Sequence, residues 1–430
     1  MGPSLLLRHF LKILFYSINY APELTSTGKY TGEMAEQIAA AGHDVRVVTA
    51  PHYYPAWKIS EGFSATRYTR EQTKGVSVFR CPLWVPAEPS GLKRLVHLAS
   101  FAMSSLPTLF AQWRWKPDVV WVVEPGLMCA PAAVVFARLR GAKTWLHIQD
   151  FEADAAFELG LIKGRRLRGW VEGAERWLMD RFDRVSTISG RMMERAKAKG
   201  VPDGKRVHFP NWVDISAISP LSGLSPLRAE LGIAEGATVA LYSGNMGGKQ
   251  GLEILADVAR LLAEQQDIRF VFCGGGSGRA DLEQRCAGLP NVQFLPLQPF
   301  DRLSDLLGMA DIHLLPQRAD AADLVMPSKL TGMLASGRSV VATAAPETEL
   351  GRVVTTDAAC GVIVPPEQPQ ALADAIVALA GDPARRAEMG ANGRRYAERE
   401  LSQSVILGRF EAQLRALVET EGKAACASPV

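Results

Sequence analysis

"YSGNMGGKQGLEILADVA", Tyr242 to Ala259, joins the end of a strand to a glycine-rich turn and the start of a helix. The residues leading into it, Thr238–Tyr242, are β-branched or apolar. Those beyond it repeat apolar side chains at helical spacing, at Leu252, Leu255, Ala256 and Ala259. Between the two lie Gly244, Gly247, Gly248 and Gly251, with Lys249 and Gln250 in the middle. Backbone N–H groups at a helix start, with no Cβ to hold a ligand away, suit an anion, and a lysine adds a full positive charge. A tight strand-to-helix turn with a solvated lysine would use the same letters, so the surrounding chain has to choose between them.

Outward from this turn, strand-like and helix-like runs alternate along the chain. The first series of strands is "KILFYS" (12–17), "DVRVVT" (44–49), "VSVFRC" (76–81), "DVVWVV" (118–123), "KTWLHI" (143–148) and "RVSTIS" (184–189). Helical patterns fall between most of them, such as 30–41, ended by Gly42, and 127–140, ended by Gly141. After "RVHFPNWVD" (206–214) and a looser Ser/Pro/Gly stretch, a second series runs "TVALYSG", "IRFVFCG", "VQFLPL", "IHLLP", "SVVATA" and "GVIVPP". Continuous apolar strands separated by helices mean parallel sheets covered on both faces. The expected architecture is α/β, with two doubly wound Rossmann-like domains, residues 1–213 and 214–400, facing a central cleft. A helical tail, 401–430, is expected to return to the first domain.

Composition agrees with a globular chain: 430 residues, 47% hydrophobic and 22% charged. A formal charge of +3 is too mild to argue for nucleic acid. Six scattered cysteines, with no C-x-x-C pair, read as reduced and mostly buried in a cytoplasmic protein. The apolar start is interrupted by Arg8, His9 and Lys12, and the most apolar long window, 119–137, is broken by Glu124, Pro125 and Pro131. Neither a signal peptide nor a membrane span is expected.

In doubly wound sheets, ligands sit at the carboxyl ends of the strands. There the first series places Gly28 and Lys29 near the start of a helix after a long first loop, and Asp150 and Glu152 after the fifth strand, with His147 just inside. A carboxylate at Asp150 could orient or deprotonate a hydroxyl; a helix cap and an ordinary core histidine are the plainer readings. In the second series, Gly274, Gly275 and Gly276 follow a strand, but a dinucleotide fingerprint begun at Gly274 meets Arg279 where its last glycine belongs. Ser328 and Lys329 follow Pro327 at a helix start, where the serine can cap and the lysine can face the anion opposite Lys249. Two lysines and two helix starts would neutralise a diphosphate without a metal, and the chain contains no D-x-D sequence.

The ordered set "NYAPELTSTGKYTGEMAEQIAAAGHDVRVVTAPHYYP", "FPNWVD", "YSGNMGGKQGLE", "CGGGSGRADLE", "LGMADIHLLPQ" and "PSKLTGMLASGRSVVATA" resembles retaining GT-B glycosyltransferases of family 4. The likeness is greatest to the colanic-acid-type branch of exopolysaccharide assembly, and it runs from about residue 12 to about residue 400. It implies transfer from a nucleotide diphosphate sugar, with GDP-fucose the expected donor and no separate cofactor or metal. By motif position, Asn245 stands where the family usually has an arginine, and Lys249 or Gln250 takes the place of its phosphate-binding lysine. Gly274–Gly276 match its glycine loop, and Leu295–Leu297 match the strand end that passes the base. Asp150 matches an acidic position of the acceptor loop. The family's paired glutamates would fall near Leu324 and Gly332; Asp323 is the candidate replacement for the first, with Glu349 assisting.

On this reading Lys249 and Lys329, with the Gly247 and Gly248 amides, stabilise the departing diphosphate, and Asp150 positions the acceptor. The expected acceptor is a polyprenyl-diphosphate-linked oligosaccharide at the inner face of the cytoplasmic membrane. Residues 91–117 mix apolar and basic side chains, as either a packed helix or a lipid contact. The basic cluster Lys163, Arg165, Arg166, Arg168 and Trp170 favours an anionic membrane surface. The alternatives are a catalytically silent nucleotide-sugar-binding scaffold, which the missing glutamates suit, and a nucleotide-sugar epimerase, for which no suitable acids and histidine stand out.

Overall fold

The structure, a computed structural model, describes residues 10–23, 26–88, 90–124, 127–151, 165–247, 250–318 and 326–425. Contacts divide the chain into two units, Met1–Pro210 with Leu407–Val430, and Asn211–Ile406.

The first unit is built on an eight-stranded sheet: β1 (Lys12–Tyr16), β2 (Asp44–Thr49), β3 (Thr69–Thr73), β4 (Val76–Arg80), β5 (Val119–Glu124), β6 (Lys143–Ile148), β7 (Arg184–Thr187) and β8 (Arg206–His208). Its order is β3-β4-β2-β1-β5-β6-β7-β8, and all neighbours are parallel except β3 and β4. Every residue of β5 is buried, which is why its sequence reads as an unbroken apolar run. β3 is absent from the sequence expectation. Its residues, Thr-Arg-Glu-Gln-Thr, are polar and mostly exposed at the sheet edge. The strand is held by a two-residue turn, Lys74-Gly75, with both residues at positive φ, the geometry that matches hairpin twist.

The C-terminal helix, Gln403–Ala425, brings Phe410 onto this sheet, with its ring centroid 4.5 Å from Trp121 and 5.5 Å from Trp145. A polar clasp lies beside that contact. The Leu11 N–H donates to His43 Nδ1, so the proton sits on Nε2, 3.2 Å from Glu411 Oε1. Arg415 donates to the same carboxylate at 2.7 Å. The expected return of the tail to the first sheet is thus present.

Several helices of this unit show apolar residues to solvent, and two of them bear on the expectations above. In Gly91–Ser104, His97 and Phe101 face inward while Leu92, Val96 and Met103 are exposed beside Lys93 and Arg94. Residues 91–104 are therefore a packed helix whose outer face keeps the apolar and basic mixture. In Arg165–Met179, Trp170 is 80% exposed and Trp177, seven residues on and on the same face, is 55% exposed. Arg166 and Arg168 are exposed on this helix, and the Arg181 guanidinium lies 3.4 Å over the Trp177 ring. Lys163 lies outside the described residues, and Arg165 opens the helix. Among the described residues, no helix is long and apolar enough to cross a membrane.

The second unit carries a six-stranded sheet: β9 (Thr238–Ser243), β10 (Ile268–Cys273), β11 (Val292–Leu295), β12 (Ile312–Leu315), β13 (Ser339–Thr343) and β14 (Gly361–Val364). The order β11-β10-β9-β12-β13-β14 is parallel throughout. The chain fills one side of β9 with β10 and β11, then crosses to fill the other, so the strand order reverses between β9 and β12. Parallel sheets open a ligand crevice at such a reversal, outside the strand carboxyl ends. Five cysteines are free and buried; Cys426 lies outside the described residues.

Candidate active site

At the carboxyl end of β9 the chain enters the Gly244 turn, and the turn is fastened to its neighbour. Gly244 N–H donates to the Cys273 carbonyl, Met246 N–H to Gly275 O at 2.8 Å, and Gly278 N–H to Met246 O at 2.8 Å. The two glycine-rich stretches are therefore one laced surface. A Cβ on Gly274, itself at φ 140°, would overlap the Gly244 carbonyl oxygen. At Gly276 it would lie 2.6 Å from both Met246 O and Asn245 Oδ1. Glycine is required at 274 and 276 by this close packing. At Gly275 a Cβ would meet nothing within 4 Å, so this is the position with open space above it.

Arg279, which breaks the dinucleotide fingerprint, has a place of its own. Its guanidinium donates to the Gly274 carbonyl and, at 2.7 Å, to that of Leu295, with Glu283 on its Nε at 2.7 Å. It ties the glycine turn to the end of β11, where Leu297 stands exposed. Sequence spacing shows Arg279 only as a misfit; its tie to two carbonyls depends on a strand pairing.

Lys329 opens the helix Lys329–Ala335 and reaches back over the Gly244 turn. Its Nζ donates to Tyr242 Oη at 2.9 Å and lies 4.3 Å from the centre of that ring. A Cβ on Gly244 would stand 3.7 Å from the lysine Cε and Nζ. Tyr242 O–H in turn donates to the Asn245 carbonyl at 2.7 Å. Burial disfavours the ammonium and lowers its pKa from 10.5 to about 8. The Tyr242 hydroxyl is pushed well above its ordinary range, also by burial. A half-buried lysine thus stands at the strand-order reversal, against the backbone of the Gly244 turn. Tyr242 is the residue that sequence reading missed. Its signal was a polar-headed side chain near the end of a mostly apolar strand, two residues before the Gly244 turn.

Two expectations are corrected here. Ser328 does not cap the helix: its backbone is already helical, φ −59° and ψ −25°, and its side chain makes no capping bond. The Gly247 amide is not open to a ligand in this structure, because it donates to Gln250 Oε1 at 2.8 Å. Gly248, Lys249 and Asp323 lie outside the described residues. Asn245 is exposed, with its side chain between Gly276 and Gly247. Glu349 begins the short helix that follows β13. Gly332, where the resemblance leads one to look for a glutamate, is packed: a Cβ there would be 3.2 Å from Leu307 Cδ1 and 3.8 Å from Ile218 Cδ1.

In the first unit, Asp150 is exposed just past β6. His147, inside that strand, is fully sequestered. Gln149 Nε2 donates to its Nε2 at 2.9 Å, so its Nδ1 proton faces Ser186 Oγ, also at 2.9 Å. Burial drives its pKa down to about 3, which keeps it neutral among Trp121 and Phe209. It is a core residue, not an acid or base. Glu152 lies outside the described residues. Gly28 is buried within the helix Ser26–Ala40, and a Cβ there would overlap the Glu23 side chain. Glu23 itself accepts from Asn19 Nδ2 at 3.0 Å, leaves Oε2 without a partner, and has its pKa raised by burial from 4.5 to about 8. Nothing in the letters around Glu23 marks it as a buried carboxyl. Among the described residues, no three His, Cys, Asp or Glu side chains converge as a metal-holding group.

Residues 26–212 match the family model for a glycosyl transferase 4-like domain, and residues 237–382 match that for glycosyl transferases group 1. A protein of Escherichia coli K12, named for colanic acid biosynthesis as the glycosyl transferase WcaI, is 46% identical over 412 residues, which cover 94% of this chain and all of that protein. Among solved structures, sucrose-phosphate synthase of Thermosynechococcus elongatus superposes with a TM-score of 0.75 at 16% identity, covering 95% of this chain and 100% of that one. HepE of Anabaena, solved with UDP and glucose, gives 0.66 at 16% identity, covering 94% and 100%. At such identities the structural likeness speaks for the fold.

Proposed function

We propose that this chain, which belongs to the GT-B glycosyltransferases that join a 4-like domain to a group 1 domain, transfers a sugar from a nucleotide diphosphate sugar to a lipid-linked oligosaccharide of exopolysaccharide assembly, with retention of anomeric configuration. The observation that carries the reading is Lys329 Nζ held over the Gly244 turn at the reversal of strand order. GDP-fucose is the proposed donor, and an exopolysaccharide of the colanic-acid kind the proposed product.

The transfer breaks the bond between the anomeric carbon and the diphosphate oxygen, which leaves with the electron pair. The acceptor hydroxyl forms the new bond from the same face and passes its proton to the departing phosphate. Negative charge grows on the diphosphate as the bond breaks, so a fixed ammonium beside it favours the transition state over the bound donor. Lys329 supplies that charge from a site already desolvated, where it is worth more than in water. Lys249 is proposed to share this role, and a site neutralised by two lysines needs no metal for it. Gly275 and the Gly244 turn give the nucleotide side backbone to lie against, with Leu295, Leu297 and Glu349 at neighbouring strand ends; Asp150 orients the acceptor. Arg166, Arg168, Trp170 and Trp177 suit the face of an anionic membrane where a lipid-linked acceptor resides.

One observation favours a second reading, a nucleotide-sugar-binding scaffold without turnover: where the family pair's second glutamate would fall the chain has Gly332, set against Leu307 and Ile218 with no carboxylate. A single experiment separates the two. Purified protein is incubated with a panel of nucleotide sugars, and nucleotide diphosphate release is followed with and without lipid-linked acceptor. Acceptor-dependent release of GDP from GDP-fucose is the expected result. Donor binding without release on any acceptor would select the scaffold.

A further inference from the structure

A groove of about 640 Å³ on the first unit is lined by Trp57, Ile59, Pro82, Trp84, Ser100 and Ser104 among others. We infer that it takes the prenyl chain next to the diphosphate of a lipid-linked acceptor, with Lys58 and Arg94 receiving the diphosphate. The inference rests on the transferase reading above and adds the acceptor's lipid half to it.

The groove is a built feature rather than a gap between loops. His97 links its two tryptophans: its Nδ1 proton goes to the Trp84 carbonyl at 2.7 Å, while its ring lies 5.3 Å from that of Trp57. Trp57 also packs edge-on against Tyr53 at 5.7 Å, and its backbone sits at φ +52°, a conformation that bulky side chains rarely adopt. A tryptophan held there in strain, beside a second tryptophan that is 45% exposed, keeps a large aromatic surface in water.

The polar groups lining the groove are mostly already used, which argues for a chain and against a sugar. Ser100 Oγ accepts from Trp84 N–H at 3.1 Å and donates to the His97 carbonyl at 2.7 Å. Ser104 Oγ donates to the Pro82 carbonyl at 2.6 Å. A pyranose would leave several of its own hydroxyls unsatisfied there, whereas a branched hydrocarbon asks for none. The charge at the rim completes the match. Lys58 lines the groove and is exposed, and the Arg94 guanidinium lies 5.4 Å from the Trp57 ring. Among the described residues neither cation is paired with a carboxylate. The exposed Leu92, Val96 and Met103 continue the apolar surface along the same helix. An apolar channel with two unpaired cations at its edge is complementary to an amphiphile with a hydrocarbon tail and an anionic head.

The test uses the full chain and calorimetric titration with geranylgeranyl diphosphate below its micelle concentration, set against isopentenyl diphosphate, which has the same head and a quarter of the chain. The twenty-carbon ligand should bind at least a hundredfold tighter. Trp84→Ala should weaken it roughly tenfold, and Lys58→Glu, an exposed site that leaves the walls intact, roughly fivefold at low salt. In transfer assays Trp84→Ala should raise KM for a polyprenyl acceptor. Equal affinity for the two diphosphates would overturn the inference, as would unchanged binding in both variants. Competition by the free oligosaccharide would also overturn it and make the groove a glycan subsite. Nucleotide sugar binding is measured separately in the same preparations: its absence would remove the transferase reading, while its presence with no preference for the longer lipid would remove only the groove.

Discussion

Replacing pH 7 by pH 9 should cost this protein about tenfold in affinity for a nucleotide diphosphate sugar. The magnitude comes from one group. With its pKa lowered to about 8, Lys329 is about nine-tenths charged at pH 7 and about one-tenth charged at pH 9. If the donor's diphosphate is held by the ammonium, only the protonated fraction binds, and the loss is roughly 1.4 kcal/mol. The sign follows from linkage: an anion beside Lys329 raises its pKa, so binding takes up a proton, about half of one at pH 8. Tyr242, the hydroxyl that receives the lysine proton donor, stays protonated across this window because burial holds its pKa far above it. Calorimetry in two buffers of different ionisation enthalpy reads both the affinity and the proton uptake. Lys329→Arg keeps its charge at both pH values and should show neither effect, apart from any titration of the nucleotide base, which the two proteins share. Lys329→Met should lower kcat by more than it lowers donor affinity. Parallel pH profiles for wild type and Lys329→Arg, or full activity in Lys329→Met, would refute the assignment.

Further outcomes follow from single contacts. Gly274→Ala should cost about 3 kcal/mol or more of unfolding free energy, because its Cβ overlaps the Gly244 carbonyl at a φ of 140°, whereas Gly275→Ala should stay within about 0.5 kcal/mol; denaturant midpoints compare the two. Glu23 has a folded pKa raised from 4.5 to about 8, so the folded state holds the extra proton and stability should fall as pH rises from about 4.5 to about 8. Glu23→Gln should flatten that slope, by on the order of 5 kcal/mol across the window, and a slope unchanged in the variant would place its origin elsewhere. Tyr242→Phe leaves the Asn245 carbonyl and Lys329 without their shared partner. It should lower stability by about 1 kcal/mol and kcat/KM roughly tenfold, read by thermal unfolding and steady-state kinetics. Gly332→Glu, which restores the letter of the family pair, should destabilise by about 1–3 kcal/mol against Leu307 and bring no gain in donor affinity.

Much of the candidate site was legible in the chain before any coordinates, because strand ends announce themselves. The runs at Thr238–Ser243 and Ile268–Cys273 are each followed by glycine, and parallel sheets place such ends side by side. Lys329 was readable for the same reason, as a cation at a helix start following a strand. The role of the glycines was not. Gly274–Gly276 read together as one glycine loop, yet the structure packs Gly274 and Gly276 against the Gly244–Met246 backbone and leaves Gly275 open. Spacing gives the position of a glycine but not what approaches it.

Local pattern determined the two α/β units, the order of their strands along the chain and the apolar runs that become β5 and β9, since side-chain periodicity and turn residues act over a few residues at a time. It could not show the polar edge strand β3, whose letters carry no burial signal and which the Lys74-Gly75 turn secures. Nor could it show which titratable groups lose water. His147, Glu23 and Lys329 all take their shifted pKa values from burial; His147 lies among Trp121, Ser186 and Phe209 and Lys329 against Tyr242, each tens of residues away in the chain. Desolvation depends on every atom that surrounds a charge, so only the folded chain decides it.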